Sequence, residues 1–388
     1  MGAMAPATAK GDSSKRMRTT SVQLLSFNDY HGHLEATDTP LSRAQDPSQT
    51  PAGGVEYLSS RLELLRSAAP GGRSLTVAAG DLIGGSPFLS GMFHDEPSVE
   101  SLNMLGLDVS SVGNHEFDEG TKELLRMQRG GCHPTDGCYW PDSPYEGADF
   151  QWLSANVIKK STGRPLLPAV SVKRVGGVKI GFIGMTLEAT PTLVSPAGVR
   201  SVRFLDEVKT ANKYARRLQR SGVKSIVVLI HEGGYVTGSF QGCDGISEPI
   251  AQMAAQISPK VDQIISGHTH MGYVCSIPDP KGQPRLVTSA TNYGQAITET
   301  TLVINKRTGN VVREASTAKN ILNARDIEKD PRQTDIITKW KALSDTVGAR
   351  VVGSNAEDIL GDSSGNRGIE TPMVDLIADA ILAATDGA

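Results

Sequence analysis

Seven short runs rich in aliphatic and β-branched residues recur along this chain: VQLLSF (22–27), SLTVAA (74–79), KIGFIGM (179–185), SIVVLI (225–230), DQIIS (262–266), RLVTSA (285–290) and TTLVIN (300–305). They read as buried strands. Helical patterns lie between several of them, GVEYLSSRLELLRSAA from 54, PSVESLNMLG from 97 and LDEVKTANKYARRLQRSG from 205, the last closed by a glycine after a basic turn. Strands that alternate with helices confine the chain to an α/β fold whose sheets are covered by helices.

At 388 residues the chain exceeds one ordinary core and suits one large domain with a smaller part, or two domains. We divide it into a polar tail (1–21), a main domain (22–325) and a third part (326–388) whose texture differs. That third part holds a polar helical segment, DPRQTDIITKWKALSDTVGAR, then GDSSGNRG, then IETPMVDLIADAILAAT, in which Met373, Leu376, Ile377, Ala380 and Ile381 share one helix face. Such a stripe implies a partner domain outside this sequence, or packing back on the main domain. No internal repeat is present.

Acidic and basic residues nearly balance, at a formal charge of −3. Without a basic stripe there is no electrostatic case for a nucleic-acid polymer or a membrane surface. No apolar stretch reaches the roughly 18 to 20 residues of a membrane span. The first residues lack the apolar core of a signal peptide and read as an expression scar followed by a solvated tail, KRMR included. Four cysteines stand at 132, 138, 243 and 275. Zinc sites usually show two close pairs, so the spacing favours disulfides, Cys132 with Cys138 and Cys243 with Cys275, and an oxidising, extracytoplasmic compartment.

Six of the eight histidines fall just past a strand run or a turn. NDYHGH (Asp29, His31, His33) follows the first run, GD (Asp81) the second and HEGG (His231) the fourth, while GNHEFDEG (Asn114, His115, Asp118) sits at a turn and GHTH (His268, His270) closes the fifth. Loops at the carboxyl ends of strands converge on one crevice in α/β folds. Asp29 and His31, like His268 and His270, are two apart and would point the same way from extended backbone, with Gly267 permitting a sharp turn. Carboxylate, imidazole and one amide oxygen, without thiolate, suit Mn, Zn, Fe or Co. An aspartate between two ions can give one oxygen to each, and Asp81 is the candidate.

In order and wording, these blocks resemble the five motifs of the calcineurin-like metallophosphoesterases, specifically the secreted 5'-nucleotidase branch, over about residues 22 to 305. The resemblance implies a four-layer α-β-β-α sandwich with mixed sheets, a linker helix and the start of a second domain. It implies two divalent metal ions, one held by Asp29, His31, Asp81 and His270, the other by Asp81, Asn114, His231 and His268. It makes His115 the transition-state residue and Asp118 its support, although Asp118 could instead cap the helix that follows. His33 divides between a contact behind the ligands and a solvated turn, while His94 and His133 receive no role. RGIETPMVDLIADA resembles the opening of the family's substrate domain, with Asp375 where asparagine is common.

The implied reaction is phosphate ester hydrolysis in a monomer. Two cations depress the pKa of a water that attacks phosphorus in line, and His115 helps neutralise the phosphoryl oxygens. Nucleoside 5'-monophosphates are the expected substrates. Hydrolysis of 2',3'-cyclic nucleotides or nucleotide sugars is an alternative, and a metal-binding adhesion module without turnover is another of a different class.

Overall fold

A computed structural model describes residues 18–361 and 368–385, and the chain divides into two compact units, Met1–Lys341 and Ala342–Ala388. The strands are β1 (Thr19–Phe27), β2 (Ser74–Ala79), β3 (Val109–Ser111), β4 (Gln151–Leu153), β5 (Val157–Lys159), β6 (Val170–Val175), β7 (Val178–Thr186), β8 (Val202–Phe204), β9 (Ser225–His231), β10 (Gln263–Ile265), β11 (Gly272–Ser276), β12 (Leu286–Ala290), β13 (Ala296–Asn305) and β14 (Thr317–Leu322). The helices are α1 (Val55–Ser67), α2 (Phe88–Gly91), α3 (Glu96–Met104), α4 (Gly120–Arg129), α5 (Pro196–Val199), α6 (Glu207–Arg220), α7 (Ile250–Gln256), α8 (Pro331–Gly348) and α9 (Pro372–Ala384).

Two six-stranded sheets form, in the orders β14-β13-β1-β2-β3-β4 and β11-β12-β10-β9-β7-β6. Both are mixed. The central strands β1, β2, β3 and β4 run parallel, as do β7, β9, β10 and β12, while β13 with β14, β11 and β6 run against their neighbours. Strand β9 shows how the layers arise. Its residues alternate, so Val227 and Leu229 join Val22, Leu24, Val77, Val109 and Phe182 in the core between the sheets, whereas Ile226, Val228 and Ile230 pack with Ala211, Tyr214 and Leu218 of α6 and Ile250 of α7. On the outer face of the first sheet, Gln23 Nε2 of β1 donates to the Leu65 carbonyl of α1 and Arg66 of α1 donates to Thr76 of β2. The four-layer sandwich with mixed sheets is therefore present.

All seven predicted runs are strands, and among the described residues seven further strands escape the sequence reading. Most of those are three residues long or half exposed, such as β6, so no apolar run marks them. The sheets pack closely where Gly184 of β7 meets Leu153 of β4, whose side chain occupies the space a Cβ would need. Gly184→Val should therefore lower unfolding free energy by about 1–3 kcal/mol through overpacking. Urea unfolding at unchanged m-value reads that loss, and an unaltered midpoint would count against so tight a contact.

Both disulfides, Cys132–Cys138 and Cys243–Cys275, are formed. Among the described residues no helix is long and apolar enough to cross a membrane. In the second unit Thr371 caps α9 by accepting from the Val374 amide. Met373, Leu376, Ile377 and Ile381 on that helix are exposed.

Candidate metal centre

The candidate residues leave the carboxyl ends of β1, β2, β3, β9 and β10, with His231 itself the last residue of β9. The extended geometry expected for Asp29 with His31 and His268 with His270 is overturned. These four and Asp81 all adopt left-handed backbone, at φ 50, 48, 75, 58 and 51° respectively. That conformation costs on the order of 1–3 kcal/mol for a residue with a side chain and persists only where neighbours impose it. Here backbone bonds impose it: the Asp29 amide donates to the Gly80 carbonyl, His31 to Asp81, and Tyr293 to Asp29, at 3.1, 3.0 and 2.7 Å. Gly267 serves by size rather than by a left-handed turn. A Cβ there would lie 2.8 Å from Asp29 Oδ2 and 3.1 Å from the Ala79 carbonyl.

The turns bring the side chains together. His31 Nε2 is 3.2 Å from His270 Nε2, 3.9 Å from Asp29 Oδ1 and 3.7 Å from Asp81 Oδ2. His270 Nε2 is 3.3 Å from Asp29 Oδ1, and His231 Nε2 is 2.9 Å from Asp81 Oδ2. One ligand atom from each of Asp29, His31 and His270 lies within 4.8 Å of the others, and the same holds for Asp81, His231 and His268. Asp81 stands between the two groups. Its second oxygen, Oδ1, accepts from the His115 amide at 2.9 Å.

Two buried atoms test whether cations fit. Asn114 Oδ1 has no hydrogen-bond partner, and neither does His231 Nε2, which lies beside Asp81 without hydrogen-bond alignment. An unsatisfied buried polar atom costs about 1–3 kcal/mol. The far nitrogens are satisfied: His231 Nδ1 donates to the Ala79 carbonyl at 2.8 Å and His31 Nδ1 to the Gly84 carbonyl at 2.7 Å. Each ring is thus turned so that Nε2 faces the centre with its lone pair, the arrangement typical of metal-binding histidines. The donor set fits two divalent cations.

Electrostatics agree. Burial works against charge on Asp81, but His231 and His31 outweigh it and hold the carboxyl well below its usual range. Burial likewise opposes the His231 imidazolium, yet Asp81 and Asp29 raise it to about 10. His268 goes the other way, to about 4, through burial and the charge on His231.

His115 Nδ1 donates to Asp118 Oδ2 at 2.7 Å, and the ring meets that of His31 edge-on at 4.9 Å. That bond to Asp118 is the largest influence on the imidazole, and with the Asp81 charge it outweighs burial and raises it to about 9. Asp118 does not cap α4, whose N-cap is Glu119 and receives no side-chain bond. His33 is not a solvated turn residue. It is half-buried and stacks on Tyr293, centroids 3.7 Å apart, with Nδ1 2.9 Å from the His31 carbonyl.

Three supporting residues lie inside or beside the quoted motifs without having been singled out. Asn28 donates to Asp29 Oδ2 at 2.7 Å and accepts from the Ala290 amide at 2.8 Å, tying β1 to β12. Glu116 accepts from the amides of Gly113, Asp81 and Leu82. Burial and the nearby Asp81 charge push its carboxyl to about 7. Asn292 places its side-chain amide 3.2 Å from His270 Nδ1. Asn28 and Glu116 directly adjoin the candidates Asp29 and His115, which is the signal that could have found them.

Residues 23–272 match the family described as calcineurin-like phosphoesterase. The chain is 34% identical over 363 residues to the protein named endonuclease YhcR of Bacillus subtilis (strain 168), covering 94% of this chain and 28% of that one. It is 26% identical over 387 residues to the 5'-nucleotidase of Bos taurus, covering 94% of this chain and 60% of that one. The chain thus spans less than two thirds of either relative, 28% of one and 60% of the other. Among solved structures, the 5'-nucleotidase precursor from Thermus thermophilus shares the fold, with a TM-score of 0.73 and 23% identity over 95% of this chain and 67% of that one.

Proposed function

The chain belongs to the calcineurin-like phosphoesterases and is a metal-dependent phosphoester hydrolase, and from that premise we propose that its esters are nucleoside 5'-monophosphates. In this reading Asp29, His31, Asp81 and His270 would hold one cation, and Asp81, Asn114, His231 and His268 the other. The cation centre in this reading is carried by two buried, unpartnered ligand atoms, Asn114 Oδ1 and His231 Nε2, the latter 2.9 Å from Asp81 Oδ2, and the nucleotide assignment is supported by the similarity to proteins named 5'-nucleotidase. Bound there, two divalent cations supply neutralisation of phosphoryl oxygens and a lowered pKa for water. The identity of the ions is left to Mn, Zn, Fe or Co by the donor types.

The chain's own residues do the rest. His31 and His231 are kept in the ligating tautomer by the Gly84 and Ala79 carbonyls. His115, held as the imidazolium by Asp118, offers its Nε2–H to an oxygen of the phosphoryl group. The same proton can pass to the departing ester oxygen, which leaves as the alcohol of the nucleoside. The two disulfides support work in an oxidising compartment outside the cytoplasm.

A second reading, hydrolysis of phosphodiesters in cyclic nucleotides or nucleic acid, is favoured by the similarity to a relative named endonuclease. A panel separates the two. Chelator-stripped protein, resupplied with Mn²⁺ or Zn²⁺, is expected to release phosphate from AMP faster than from glycerol phosphate, 2',3'-cyclic AMP or an oligonucleotide. Equal rates on AMP and glycerol phosphate would remove the nucleotide assignment, and faster cleavage of the diesters would replace it with the second reading.

A further inference from the structure

The two histidines that no motif covers tie a separate loop to the surroundings of His115. His94, in the turn between α2 and α3, has a carboxylate at each ring nitrogen: Nδ1 lies 2.7 Å from Glu119 Oε2 and Nε2 lies 2.8 Å from Asp136 Oδ2. A neutral imidazole carries one N–H, so one carboxylate would then face a lone pair, and both bonds form only with the imidazolium. The ring is largely shielded, at 17% exposure. His133 stacks on it with centroids 3.7 Å apart and accepts from the Asp136 amide at Nδ1, which steadies the residue that His94 grips.

The clamp joins two distant segments. His133 and Asp136 belong to the loop closed by Cys132–Cys138, whereas Glu119 follows Asp118, the residue bonded to His115. A second contact runs through the neighbouring residue. Asp95 accepts from the Gly84 amide at 2.9 Å and from the Ser90 hydroxyl at 2.7 Å, and Gly84 lies so close to Asp118 that a Cβ on it would be 2.7 Å from Asp118 Oδ2. His94 and Asp95 both have left-handed backbone, at φ 51 and 61°, which persists only where neighbours impose it. The turn thus braces Asp118 from two sides, through Glu119 and through Gly84.

We propose that His94 is a positioning residue whose imidazolium latches the disulfide loop to the Asp118–Glu119 turn, and that the latch opens when the ring loses a proton. Glu119 and Glu123 from the start of α4, Asp136 from the loop and Glu96 of α3 surround the ring, with His133 and Tyr139 against it. Arg126 pairs with Glu96 and Glu123 and offsets part of their charge. Burial works against the imidazolium, but the bonds to Asp136 and Glu119 outweigh it and hold the group above its ordinary value of 6.5. The latch is therefore complete below that value and is lost as pH rises through the raised one.

Hydrogen exchange on the full chain, corrected for intrinsic rates, reads the latch at the His133 and Gly137 amides, which bond across the loop. In wild type their protection should fall about three- to tenfold as pH rises from about 6 to 9. His94→Gln should show the weakened protection at every pH, and His94→Lys, whose charge persists, the full protection throughout. The catalytic half rests on the role proposed for His115: His94→Gln should lower kcat on an alkyl phosphate about three- to tenfold with KM and cation content unchanged, and His94→Lys should restore it. Protection that follows one pH curve in wild type and His94→Gln overturns the latch, and weakened protection with wild-type kcat overturns the positioning role. Should the chain hydrolyse no ester, the role of His115 fails while the exchange comparison still decides the latch. If His94→Gln does not fold, Asp136→Asn at a half-exposed side chain removes one arm, and unchanged protection there overturns the proposal as well.

Discussion

Asp81→Asn is expected to reduce kcat/KM for a phosphomonoester by about 10³-fold or more, together with loss of at least one bound cation. The size follows from two quantities. A catalytic cation contributes several kcal/mol of transition-state stabilisation, and each 1.36 kcal/mol is a factor of ten. Asparagine keeps the shape but removes the charge that now faces His231 at 2.9 Å and His31 at 3.7 Å. Its amide must also place either an oxygen or an NH₂ toward the His115 amide that Oδ1 now accepts. Metal content and kcat/KM measured on the same preparation check the result. A variant that keeps both cations and full activity would show that Asp81 does not join the two halves of the centre.

His115→Ala should behave differently, losing about 10²- to 10⁴-fold in kcat, the range for a positioned acid or base, while its cation content stays as in wild type. The ring is edge-on to His31 and bonds to Asp118 rather than to the carboxylates of the centre. Substrates choose between its two roles. An aryl phosphate has a good leaving group, so proton donation matters little and the residual loss reports charge stabilisation alone. An alkyl phosphate needs both. Asp118→Asn should lower kcat by a smaller factor and shift the acidic-to-basic fall of the rate to lower pH, since it removes the bond that most raises the imidazole. Equal rates for wild type and His115→Ala on both substrates would take His115 out of the reaction.

The sequence displayed more of the centre than of the fold around it. Each candidate ligand except Asn114, which sits at a turn, stands one to a few residues past an apolar run, so strand ends could be counted along the chain and the convergence anticipated. Local conformation could not. Alternation suggested that Asp29 and His31 share a face of extended backbone, but the chain turns left-handed at both, stabilised by bonds to Gly80 and Asp81 that are some fifty residues away in sequence. Strands such as β3 and β4, three residues each, carry no period of their own and exist because β3 adds to β2 and β4 to β3. His94 and His133 fell outside every motif, and only the stacking of their rings reveals the pair. Gly267, expected to permit a sharp turn, instead leaves the space that Asp29 and the Ala79 carbonyl need.

The centre straddles the sandwich. Asp29, Asp81 and Asn114 follow strands of one sheet, while His231, His268 and His270 belong to the other. With the proposed ligand sets neither half alone would offer a complete coordination shell, so affinity for ions would arise only once the layers have docked, and by mass action bound ions would then hold them docked. Scarcity of metal would then lower the population of the folded chain as well as its turnover.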